Sequence, residues 1–143
     1  MNKVRIAAFA ALILFPLAGF AADKKSPPPE VKTLLAAQGE KNMLPGGGWF
    51  AWKFTGKPKL GTVIVRVELF GKDGKPAKDL EFVGESGMPA MRYHDSGPVK
   101  FQLNKKGYYL LPVDVVMAGE WQLVIRVKKA KKEIYAGKVL FSV

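Results

Sequence analysis

His94 is the only histidine in the chain, and Met88, Pro89 and Met91 precede it in a run bounded by Gly87 and Gly97. Two thioethers and an imidazole so close together form a compact set of soft ligands. Methionine carries no proton to lose, so its hold on a metal does not collapse through proton competition. Thioethers with an imidazole favour Cu(I) among biological metals. Met88, Met91 and His94 are spaced three apart. A strand would throw neighbours at that spacing to opposite faces, and Pro89 with the flanking glycines opposes a helix. A loop over 84–97, holding Gly84, Gly87, Pro89 and Gly97, can fold all three inward. Met117, in a turn between two later strands, is a candidate fourth ligand. Met43 is a weaker one. Asp95 could orient the imidazole from behind. The competing reading is packing: Met88 and Met91 plug one end of a core, as flexible methionines do, and His94 is a loop histidine.

Other chemistries are poorly supplied. There is no cysteine, hence no disulfide and no thiolate. One histidine excludes a multi-histidine zinc or iron site within a single chain. His94 could pair with Ser86 or Ser96, but no orienting group or oxyanion site accompanies them. The paired carboxylates Glu81 and Glu85 mean nothing without a cleft. The expectation is a protein that is not an enzyme, with no catalytic residues.

The elements that must position the methionine segment follow from the ends and the strand pattern. Lys3 and Arg5 precede an apolar run over 6–20, and Gly19-Phe20-Ala21 offers small residues at the positions a signal peptidase inspects. Residues 1–21 therefore read as a cleaved export signal, giving a periplasmic protein. The alternative is an uncleaved anchor in the inner membrane, although the run is short for a bilayer and contains Pro16. The formal net charge of +11 becomes +9 when Lys3 and Arg5 are removed. A basic exported protein is drawn to anionic membrane surfaces, wall polymers or acidic partners. Nucleic acid does not suit that compartment. The lysines are scattered except for Lys128, Lys129, Lys131 and Lys132, which read as a solvated hairpin turn.

Residues 22–47 read as a tether. It has a stiff spacer at Pro27-Pro28-Pro29 and a short helix over 30–41 with Val31, Leu34 and Leu35 on one face. Pro45-Gly46-Gly47-Gly48 ends it. Residues 48–143 read as the domain. Alternating patterns predict strands over 49–54, 61–70, 80–83, 99–103, 108–116, 120–127 and 133–143. Pro112 demotes its strand to an edge or marks a bend. Trp121 is a core residue, and Trp49 with Trp52 packs the tether onto the domain. The expectation is an all-β, immunoglobulin-like antiparallel sandwich of about seven strands.

The run Gly71-Lys72-Asp73-Gly74-Lys75-Pro76 is followed by Met88-Pro89-Ala90-Met91 and His94, then Gly107-Tyr108-Tyr109, then Met117-Ala118-Gly119-Glu120-Trp121 and an alternating strand. Over about residues 49–127 this resembles the YtkA-like and FixH-like exported domains, distantly similar to CopC-type copper proteins. The resemblance implies a small immunoglobulin-like sandwich linked to copper handling and to assembly of copper-containing oxidases. It implies Met88, Met91 and His94 as ligands, Met117 as a further one, and a copper-acceptor protein or oxidase assembly factor as partner. Two departures stand out. Arg92 and Tyr93 separate Met91 from His94, and the start of the mature chain lacks the histidine that CopC-type proteins use for Cu(II). The alternative function is a metal-free interaction module that binds an envelope protein or anionic polymer through its basic surface.

Overall fold

The computed structural model of the chain describes residues 30–91, 93 and 95–143. Strands β1 (Asn42–Met43), β2 (Trp49–Phe54), β3 (Gly61–Phe70), β7 (Tyr109–Val115) and β6 (Gln102–Leu103) form one sheet in the order β1-β2-β3-β7-β6. Strands β5 (Val99–Lys100), β4 (Glu81–Gly87), β8 (Glu120–Lys129) and β9 (Lys132–Ser142) form the other, in the order β5-β4-β8-β9. All strand pairs are antiparallel. The order β2-β3-β7-β6 facing β4-β8-β9 is the two-sheet arrangement of an immunoglobulin-like sandwich, as expected.

The alternation read in the sequence explains the core. Val63, Val65, Val67 and Leu69 of β3 are buried, while Arg66 and Glu68 pair on the opposite face at 2.7 Å. Tyr109, Leu111, Val113 and Val115 of β7 face the same interior as Trp121, Leu123, Ile125 and Val127 of β8. Phe82 sits at the centre, packed against Phe50, Phe101 and Tyr109. Pro112 pairs with Ile64 on one side, past the end of the two-residue β6 on the other. A residue without an amide proton is tolerated there.

The strand count rises from seven to nine for two reasons. The run 99–103, read as one strand, changes sheets at its middle. β5 pairs with β4 and β6 with β7, while the Phe101 amide between them donates to the Phe82 carbonyl at 2.9 Å. Because the chain crosses there, Phe101 is buried but Val99 and Leu103, which alternation along a single strand would place on the same face as Phe101, are exposed. The second reason lies in residues 30–47. No helix forms over 30–41. A lone short helix is marginal in water, and this backbone instead finds partners on the edge of β9. Lys138 donates to the Thr33 carbonyl at 2.9 Å and Leu35 donates to the Lys138 carbonyl at 2.8 Å. Gly137 makes room for this: a Cβ there would lie 2.6 Å from Leu35 Cδ2. Trp52 Nε1 donates to the Ala36 carbonyl at 2.9 Å, and β1 then joins the first sheet. Trp49 stacks on Phe70 with ring centroids 4.0 Å apart.

Among the described residues no helix is long and apolar enough to cross a membrane. The predicted signal at 1–21 and the proline spacer lie outside the described residues.

Candidate metal centre

β4 extends further than its sequence suggests, and this shortens the methionine loop. Gly84 to Gly87 are strand, paired with β8 from Ile125 to Gln122. Gly84 lies in the core where a Cβ would collide with Leu111 and lie 3.0 Å from Phe101. The loop expected over 84–97 therefore begins only after Gly87. At its far end Ser96 is clipped back to β4. Its amide donates to the Ser86 carbonyl at 2.8 Å, and the Ser86 amide donates to Ser96 Oγ at 3.0 Å. Ser96 Oγ in turn donates to the Gly97 carbonyl at 2.8 Å. The two serines that could have partnered His94 thus form the base of the loop. The Asp95 carboxylate packs over Gly87, in space that any side chain at 87 would fill.

Met88 and Met91 close a tight turn through Pro89 and Ala90, with the Met91 amide donating to the Met88 carbonyl at 2.9 Å. Their side chains differ. Met88 is 7% exposed and belongs to the core, whereas Met91 is 44% exposed. Tyr93 is fully exposed, so its ring does not cover the turn. His94 and Arg92 lie outside the described residues.

Met117 is at the same end of the sandwich. The Met88 methyl lies against Gly119, where a Cβ would be 2.8 Å away. Gly119 has φ +139°, and its backbone exchanges hydrogen bonds of 2.8 and 3.0 Å with Val143. Trp121 Nε1 donates to the Met117 carbonyl at 3.0 Å, fixing the turn to the core. The Met117 side chain is partly buried against that core. Met43 lies in β1, is exposed, and pairs with Trp49. Register places Trp49 opposite Phe70, and Gly61, at the other end of β3, opposite Val115 just before the Met117 turn. Met43 is therefore remote from the turn.

The structure thus gathers Met88, Met91 and the Met117 turn at one pole of a rigid sandwich. Of the three methionines, Met88 is buried, Met117 half-buried and Met91 substantially exposed to solvent. No group of three His, Cys, Asp or Glu side chains gathers among the described residues. Neither a protein-family model nor a curated protein matches the sequence.

Proposed function

We propose that the protein is an exported copper-binding accessory or carrier that holds Cu(I) through Met88, Met91 and His94, with Met117 as a further ligand. One observation supports it most: the Met88 methyl rests on Gly119, so the Met-Pro-Ala-Met turn and the Met117 turn share one end of the fold. Three thioethers from two loops suit a soft monovalent ion. With no cysteine in the chain, methionine is the only sulfur available. The carried ion would bind at the surface rather than deep in the core, because Met91 is accessible. An acceptor could then displace ligands one at a time. A copper-acceptor protein or an assembly factor for a copper oxidase is the partner this reading implies, and export rests on residues 1–21.

The test is a competition titration with Cu(I) under reducing conditions. The parent should bind, and the combined Met88→Ala, Met91→Ala, His94→Ala variant should lose that binding. If the triple variant binds as tightly as the parent, the site is wrong and a metal-free interaction module is the better reading.

A further inference from the structure

Lysines that are scattered in the sequence converge at the pole opposite the methionine turn. The strand registers decide this. Glu81 pairs with Lys128, Trp49 with Phe70 and Leu103 with Tyr109, so the β3–β4, β6–β7 and β8–β9 connections all emerge at one end. Residues 71–80 carry three lysines, 104–108 two, and 128–132 four, against only Asp73 and Asp79 in the same segments. The flanking carboxylates are already engaged: Glu81 with Lys100 at 3.3 Å and Glu133 with Arg126 at 2.9 Å. The loops are in contact, since a Cβ on Gly107 would lie 3.3 Å from Lys78 Cε. At the methionine pole, the described residues of loops 55–60, 88–98 and 116–119 hold only Lys57 and Lys59 against Asp95. Among the described residues, the net positive charge is therefore concentrated at one end.

Lys78, Lys100, Lys128 and Lys131 rim an open groove of about 580 Å³ whose floor includes Phe82 and Tyr109. The β8–β9 turn sharpens the point. Ala130 and Lys131 occupy it with φ of 49° and 66°. Asparagine and glycine are the usual residues in that conformation, so a lysine stands where stability alone favours glycine. All nine loop lysines are ammonium groups, with no arginine among them. Lysine acts as a hydrated point charge rather than a planar fork for one phosphate. Such an array spread over several loops fits a plane of phosphates better than a single bound anion.

We propose that this basic pole docks on anionic phospholipid headgroups, holding the methionine pole away from the membrane. The docking is independent of copper. It is electrostatic, so it weakens as salt shortens the Debye length.

The absence of cysteine allows single labels on the full chain. A nitroxide-quenchable dye on Ala130→Cys reports the basic pole, and the same dye on Gly56→Cys reports the opposite one. Comparing two probes on otherwise identical chains cancels any membrane contact made through residues 6–20. Vesicles of phosphatidylcholine with phosphatidylglycerol and nitroxide-labelled headgroups should quench the dye at 130 but not at 56. High salt or pure phosphatidylcholine should abolish the difference. Lys78→Glu, Lys128→Glu and Lys131→Glu together should weaken the salt-sensitive binding more than about tenfold, and the pair Lys105→Glu, Lys106→Glu should weaken it in the same direction. Equal quenching of both probes, or quenching at 130 that ignores lipid charge, overturns the proposal. So does binding to soluble polyphosphate with no response to vesicles, which would assign the pole to a polymer.

Discussion

The Met88 methyl group lies against Gly119, a residue held at φ +139° where a Cβ would come within 2.8 Å of it. This contact joins the loop after β4 to the turn before β8. It also makes Gly119 the keystone of the methionine pole. Gly119→Ala must both push Met88 aside and adopt a backbone conformation that L-residues avoid. We expect a loss of about 1–3 kcal/mol in denaturant titration.

Met88 and Met91 should separate by stability. Met88 is in the core, so Met88→Ala leaves a cavity and should cost about 2–5 kcal/mol, while Met88→Leu should cost less than about 1.5 kcal/mol. Met91 is substantially exposed, and Met91→Ala should change stability by no more than about 0.5 kcal/mol. Equilibrium unfolding of the three variants checks this. Any loss of Cu(I) binding in Met91→Ala then reports on ligation and not on folding.

Tyr109 gives a pH signature. Burial, reinforced by nearby Asp79, raises its phenol above the usual value of 10.0, and the neutral phenol donates to the Leu80 carbonyl at 2.8 Å. A raised folded value means its contribution is complete below the ordinary tyrosine range and is lost as pH rises through the folded value. Tyr109→Phe should be less stable than the parent at neutral pH by about 1 kcal/mol, the worth of one hydrogen bond. The gap should narrow above pH 10, where the parent alone must keep this phenol neutral. Thermal melts of both proteins at neutral and alkaline pH measure the difference. A constant gap would contradict the assignment.

The docking of residues 33–36 should depend on Gly137 and Trp52. Gly137→Ala would drive a methyl into Leu35, and Trp52→Phe would remove the donor to the Ala36 carbonyl. Each should raise hydrogen exchange at the Leu35 and Lys138 amides more than at β8. Unchanged protection at Leu35 would show that the segment is held by other contacts.

Much of this architecture was legible in the residues. The strict alternation of β3, β7 and β8 marks their inward faces, because a period of two leaves one assignment consistent with a buried side. The glycines and prolines around the methionines mark a loop at a sandwich end. The rest was hidden for identifiable reasons. Residues 99–103 alternate like one strand, yet they switch sheets at Phe101, a choice made by packing against Phe82. Residues 30–41 carry helical spacing, but the open edge of β9 and the missing side chain at Gly137 offer an extended backbone better partners. Gly84 reads as a loop residue, and only the close approach of Leu111 shows why a strand needs it. The lysines read as scattered because their convergence is a property of strand register. At the site, the nearness of Met117 to Met88 depends on Gly119, whose role no spacing reveals.

X-ray absorption at the copper edge of the Cu(I)-loaded protein tests the central claim most directly. The chain has no cysteine, so every sulfur scatterer around the metal must be methionine. Our reading predicts two or three sulfurs with one imidazole nitrogen, and loss of sulfur scattering in the Met88→Leu, Met91→Leu variant. A shell of nitrogen and oxygen alone, or a spectrum unchanged in that variant, would contradict it.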